Sequence, residues 1–263
     1  MTTRPLSTTP ILLYHSISDA ADRRDLPFTV SPATFARHVA MIASSGAEVV
    51  TISELVAGRR KVSPPERPVV AVTCDDGYAD TGDVFAETLL AAGLAATVYV
   101  STGTIDETVR SKRMISWAQV RDLAAAGFEV GSHGHHHLQL DTTRPRRVTS
   151  ELRQSQELLG NHLGAAPATF AYPHGYYTPK VAELVRRTGF ESACAVKNAL
   201  SHPGDDLFGL SRVTVTRDLS PERLAAVLRG EGTVVSRQRR LATRAWRAAR
   251  YLDALTMLEV LPR

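Results

Sequence analysis

Two short stretches of this chain carry residue types that could do hydrolytic chemistry together. The first is Thr73-Cys74-Asp75-Asp76-Gly77, which ends the most apolar run, Val69-Val70-Ala71-Val72. Adjacent carboxylates raise each other's pKa unless a cation is near. On a continuing strand their side chains would point to opposite faces. One site can use both only where the chain turns, and Gly77 permits that turn. Alone, such a pair reads as a solvated loop. The second stretch is Gly131-Ser132-His133-Gly134-His135-His136-His137, with four histidines in five positions. A tract of that kind signals metal binding, unless it is merely exposed. It follows the strand pattern Phe128–Gly131, where α/β sites form. His133 and His137 are four apart, which on a helical turn puts both rings on one face.

Two histidines and one carboxylate leave positions on a divalent ion open to water and substrate. Such an ion lowers the pKa of water and polarises a carbonyl. One aspartate would then be a ligand and the other a general base. Zinc is the first expectation, and cobalt, nickel or iron also suit imidazole and carboxylate. A third stretch, Phe170-Ala171-Tyr172-Pro173-His174-Gly175, again ends a strand-like run. Its Pro-x-Gly loop lets the backbone approach a ligand, and the Tyr172 N–H is a candidate oxyanion donor. Taken alone, the loop is equally an ordinary tight turn.

These residues need a scaffold. Strand patterns fall at Ile11–His15, Glu48–Ile52, Pro68–Cys74, Ala95–Ser101, Phe128–Gly131, Thr169–Tyr172, Ser192–Val196 and Leu210–Val215. Helical patterns fall at Pro32–Ser45, Asp83–Ala92, Ser116–Ala126, Pro145–Leu163, Pro179–Thr188, Pro221–Arg229 and Arg237–Glu259. Ser31-Pro32, Thr178-Pro179 and Ser220-Pro221 place a capping residue before a proline at the first helical position. Gly46, Gly93, Gly127, Gly164 and Gly189 end helices. The segment Ala57 to Arg67 reads as a polar connection. Alternating strands and helices predict a parallel sheet covered by helices. Periodicity leaves a closed barrel and an open sheet equally open.

The three motifs together resemble the polysaccharide deacetylases, the carbohydrate esterase family 4 or NodB-homology group. Asp75, Asp76 and Gly77 match its Asp-Asp-Gly motif, His133 and His137 its paired histidines, and Pro173 and Gly175 its Pro-x-Gly loop. The resemblance spans roughly residues 10 to 216. It implies a single-domain α/β fold, a distorted (β/α)7 barrel. It implies Asp76, His133 and His137 as metal ligands and Asp75 as the base. It places the oxyanion between the ion and the Tyr172 amide. Four departures stand out. Ala171 occupies the position of an arginine that would orient the base, Cys74 that of a phenylalanine, and Gly134 that of a serine or threonine. The late motif's histidine is missing from Leu210-Ser211-Arg212-Val213. The start Leu12-Leu13-Tyr14-His15 resembles the branch that includes poly-N-acetylglucosamine deacetylases, where a histidine on the first strand is the general acid. Carried over, that residue is His15, with His174 and His202 behind it.

The implied function is metal-dependent removal of acetate from an N-acetylated sugar in a glycan, a lipid-linked glycan or a small glycoside. Hydrolysis of another amide or imide, and a catalytically silent glycan-binding module, are the alternatives. The net charge of +4 and pI of 9.3 do not by themselves call for nucleic acid. Cys74 and Cys194 read as small buried hydrophobes. No secretory signal or spanning segment is expected, so the chain reads as cytoplasmic. Residues 1–236 form the expected catalytic barrel. Residues 237–263 are expected to form a basic amphipathic helix, with Arg240, Arg244 and Arg247 beside an apolar stripe. It could touch the inner membrane face peripherally, or pack on the barrel.

Overall fold

The computed structural model describes residues 8–21, 23, 25–60 and 67–231. In chain order the elements are β1 (Ile11–Tyr14), β2 (Ser16–Ile17), β3 (Thr29–Val30), α1 (Pro32–Ala43), β4 (Glu48–Val50), α2 (Ile52–Arg59) and β5 (Val69–Cys74). Then follow α3 (Ala86–Ala91), β6 (Thr97–Val100), β7 (Thr108–Val109), β8 (Lys112–Arg113), α4 (Trp117–Ala125), β9 (Glu129–Ser132), α5 (Pro145–Leu163), β10 (Thr169–Ala171), α6 (Pro179–Thr188), β11 (Ser192–Val196), β12 (Leu210–Thr214) and α7 (Pro221–Leu228).

Seven parallel strands close into a barrel in the order β1-β12-β11-β10-β9-β6-β5, because β1 pairs with both β12 and β5. The expected distorted (β/α)7 barrel is what the chain forms. The distortion lies along one edge of β5. There Val69–Ala71 pair with β4, and only Thr73 and Cys74 pair with β6. Strand burial on both faces follows from the helices outside and the filled interior within. Ile11, Leu12, Leu13 and Tyr14 are all fully buried. Leu12, Tyr14, Val70, Val72 and Val98 face the helical layer with Phe35, Phe85 and Leu224. Ile11, Ala71, Tyr99, Ala171, Cys194 and Leu210 form a separate inner cluster.

The inner cluster also contains Ile52, Leu55 and Val56 of α2, which plug the barrel floor. This helix corrects the sequence reading, which ran a strand through Ile52 and a polar connection from Ala57. Thr51 and Glu54 form a capping box: Thr51 N donates to Glu54 Oε2 (2.8 Å) and Glu54 N to Thr51 Oγ1 (3.3 Å). Glu129, at the start of β9, fastens the plug. It accepts from Ser53 N (3.0 Å), Ser53 Oγ (2.8 Å), Thr97 Oγ1 (2.8 Å) and Thr169 Oγ1 (2.6 Å). The helix expected over Asp83–Ala92 begins as a wider π turn, Thr81–Phe85, before α3. Both cysteines are free and buried. Among the described residues no helix is long and apolar enough to cross a membrane. The helix expected over Arg237–Glu259, and the boundary after residue 236, lie outside the described residues.

Candidate active site

The strand ends converge at the C-terminal mouth of the barrel. Asp75 still belongs to the ladder, since its N–H donates to Tyr14 O (3.0 Å). The chain then turns through two left-handed residues, Asp76 (φ 74°) and Gly77 (φ 74°). That turn lets neighbouring carboxylates share one mouth. A side chain at Gly77 would also meet Val100 Cγ1 at 3.1 Å.

His133 leaves the end of β9, and its N–H donates to Val100 O (2.9 Å). Its Nδ1 sits 2.8 Å from Ala171 O, the partner that only a protonated Nδ1 can satisfy. Nε2 faces the mouth, 3.4 Å from Asp76 Oδ1. His137 Nε2 lies 3.1 Å from the same oxygen. The expected helical turn between the two histidines is not formed. Gly134 (φ 79°) and His137 (φ 54°) take left-handed conformations, and an irregular loop brings the rings together. Ligand atoms of Asp76, His133 and His137 all lie within 4.8 Å of one another. Two imidazole nitrogens converging on one carboxylate oxygen fit a divalent ion of the zinc, cobalt, nickel or iron type. Burial alone would push the Asp76 carboxyl up. Its bonds to His133 and His137 outweigh that and hold it well below the usual carboxylate range.

Asp75 is 3 % exposed and faces this triad, its Oδ2 3.8 Å from His133 Nε2. Burial pushes its pKa up, but the Arg212 guanidinium prevails and keeps it below the ordinary value. Arg212 is completely buried and grips both oxygens, at 2.7 Å to Oδ1 and 2.6 Å to Oδ2. It also donates to Thr73 Oγ1 (3.2 Å) and Ala195 O (3.4 Å). The arginine that Ala171 does not provide therefore arrives from β12. The sequence reading quoted Arg212 only for its lack of a neighbouring histidine. A lone arginine inside an apolar strand pattern was the available signal, since such a charge must be paired.

His15 lines the open cavity beside the triad, together with Ser16, Asp25, Phe28, Thr29, Asp76 and Tyr78. Its Nδ1 is buried and has no hydrogen-bond partner among the described residues. Burial lowers its pKa, and Asp76 and Asp75 pull it partly back. The other two candidate acids separate. His174, at φ 60° on the Pro-x-Gly loop, sets its exposed ring 4.6 Å from that of His137. His202 follows Ser201, which bridges Thr9 at the opposite end of β1 from His15. It is remote from the mouth. The Tyr172 amide also departs from expectation. It donates to Cys194 O (3.0 Å) as a rung of the sheet, and the phenol donates to Phe208 O (2.9 Å). An N–H committed to the β-ladder does not face the triad, so the oxyanion assignment to Tyr172 is withdrawn.

A parallel barrel holds a buried carboxylate–arginine pair beside an Asp-His-His cluster, an arrangement able to serve metal-assisted hydrolysis. The profile of the family described as polysaccharide deacetylase matches residues 62–193, just over half of the chain. The chain belongs to that family, whose members are deacetylases acting on amide bonds and are generally metal-dependent. The Bacillus subtilis (strain 168) protein YxkH, named after the same family, is 25% identical over 219 residues, covering 83% of this chain and 75% of its own. The poly-beta-1,6-N-acetyl-D-glucosamine N-deacetylase of Staphylococcus aureus (strain MRSA252) is 20% identical over 201 residues, covering 73% and 69%. The fold matches that of the Streptococcus pyogenes deacetylase PplD in complex with acetate (TM-score 0.77, 22% identity, 86% of this chain and 99% of that one). It also matches IcaB from Ammonifex degensii (TM-score 0.74, 23% identity, 86% and 98%).

Proposed function

We propose that this chain is a metal-dependent N-deacetylase that hydrolyses the acetamide of an N-acetylated sugar to a free amine and acetate. The observation that carries the reading is the placement of Asp75. It is buried, held by Arg212, and within 3.8 Å of a nitrogen of the triad Asp76, His133 and His137. A base and a cation site thus share one mouth. An ion held by the triad, with zinc the first candidate, would act as Lewis acid toward the acetyl carbonyl and the attacking water. Asp75 would take a proton from that water as it adds to the carbonyl carbon. His15 would deliver a proton to the nitrogen as the C–N bond breaks, because an amine leaves badly as an anion. His15 and Asp76 lining one cavity support that role.

The silent-module alternative drew on the arginine missing at Ala171 and on the absent late histidine. Arg212 beside Asp75, and His15 in one cavity with Asp76, weigh against it. The name of the Staphylococcus aureus relative favours a polymeric N-acetylglucosamine substrate. The test is acetate release from N-acetyl sugars, from monosaccharide to polymer, by protein stripped of metal and then reloaded. Release that requires reloading supports the proposal. No release from any of them, with the metal bound, returns the chain to the silent-module reading.

A further inference from the structure

The loop that carries His137 has a second anchor that no motif of the sequence announces. Glu151 lies on α5 and is completely buried. Its Oε2 accepts from two consecutive amides, His135 N (3.2 Å) and His136 N (2.7 Å). Its Oε1 lies 2.8 Å from His136 Nδ1 and 3.0 Å from the Arg147 guanidinium. Successive amides pointing at one carboxylate oxygen form a nest, an anion-binding arrangement of the backbone. On the opposite flank, Gly103 N donates to His135 O (2.8 Å) and Thr102 N to Gly134 O (3.2 Å). Thr102 Oγ1 also meets His135 Nδ1 (2.8 Å). The loop is thus clamped between the end of β6 and α5, immediately before His137 takes its left-handed turn.

We infer that Glu151 is a positioning residue for the metal centre, fixing residues 134–137 so that His137 meets Asp76. The inference rests on the reading of Asp76, His133 and His137 as ligands. A carboxylate with no exposed surface is costly to bury, and packing alone would be served better by an apolar side chain. This one is aimed at the backbone between two ligands, where a purely structural acid has no need to be. A glutamine cannot replace it silently. Its single carbonyl oxygen can serve the two amides, but its NH2 would then face Arg147, a donor. Partners that orient metal ligands typically change metal affinity by about 10–100-fold when altered.

The test uses the full chain with Glu151→Gln, and Glu129→Gln as the matched control. Glu129 also accepts four hydrogen bonds, but at the floor of the barrel, at the far end of the strand that leads to His133. Zinc affinity is measured by chelator competition, and ligand geometry by the absorption spectrum of the cobalt-loaded protein. Glu151→Gln should weaken zinc by about 10–100-fold and change the cobalt spectrum. Glu129→Gln should lower the melting temperature and leave both metal readouts as in the parent. Glu151→Asp keeps the charge but withdraws it by one methylene, and should weaken zinc in the same direction. If the glutamine variant does not fold, the aspartate variant decides alone. Parental zinc affinity and cobalt spectrum in a folded Glu151 variant overturn the inference and leave the triad standing. A parent chain that binds neither ion overturns the triad, and this inference with it.

Discussion

Both carboxylate oxygens of Asp75 are committed to Arg212, and that grip fixes the orientation of the proposed base. Asp75→Asn keeps the shape and removes the charge. It should retain metal, measured by elemental analysis, while acetate release falls by about 10²-fold or more, the scale of losing a general base. A metal-free Asp75→Asn protein would mean that the roles of Asp75 and Asp76 are exchanged. Arg212→Met leaves Asp75 buried and uncompensated. Removing one partner of a buried pair costs about 3–5 kcal/mol, so denaturant unfolding should show a loss on that scale. Adding Asp75→Asn to Arg212→Met should restore part of it, because the stranded charge is gone. Strict additivity of the two losses would show that the pair is not coupled. Asp76, His133 and His137 were legible in the sequence because each sits in a dense local motif. Arg212 was not, because its partner lies 137 positions away and only barrel closure brings them together. Tyr172 was misassigned for a related reason. A motif identifies a loop, but which carbonyl takes each amide is settled by the neighbouring strand.

β1 is the element that joins the two ends of the sheet, and its register sets where His15 emerges. Tyr14 is level with Cys74 across the β1–β5 pairing, so His15 and Asp75 leave adjacent strands at the same height. His15→Ala should keep fold and metal. It should slow amide cleavage far more than cleavage of an activated acetate ester, whose leaving group needs little protonation. Equal losses on both substrates would remove His15 as the acid. α2 is the second element with a function in the fold, since it closes the floor that the inward strand residues cannot fill. Thr51→Ala removes its capping box and should cost about 1 kcal/mol, read from denaturant midpoints at unchanged slope. No change would mean that packing of Ile52, Leu55 and Val56 alone holds the helix. Most elements were legible from proline and glycine punctuation, as at Ser31-Pro32 and Gly164. α2 was not, because its run is short and apolar and continues a strand-like pattern. Its Thr-x-x-Glu signature was present and went unused.

At the scale of the whole molecule, the parallel alternation was legible and the closure was not. Local periodicity says nothing of whether the first strand meets the last, and here the resemblance of the motifs supplied the barrel. Closure explains why the polar interior is divided. Glu129 and its hydroxyl partners occupy the floor, while Asp75, Arg212 and the triad occupy the mouth. The outer layer holds a titratable group of its own, His38 on α1. It is 2 % exposed, its Nδ1 is 3.2 Å from Tyr14 OH, and burial first, then Arg37, lowers its pKa below the ordinary imidazole value. The unfolded chain therefore takes up a proton at His38 more readily than the folded one. Its contribution to stability is fully present above the unfolded value of about 6.5. It is lost progressively as pH falls from there toward the lowered folded value. His38→Gln can keep a bond to Tyr14 and has nothing to titrate. Melting temperatures of both proteins, compared at about pH 7.5 and about pH 5.5, isolate the effect, since every other group titrates alike in the pair. The parent should lose more on acidification than His38→Gln. If the two decline in parallel, His38 carries no part of the acid sensitivity. The loss would then belong to groups common to both proteins.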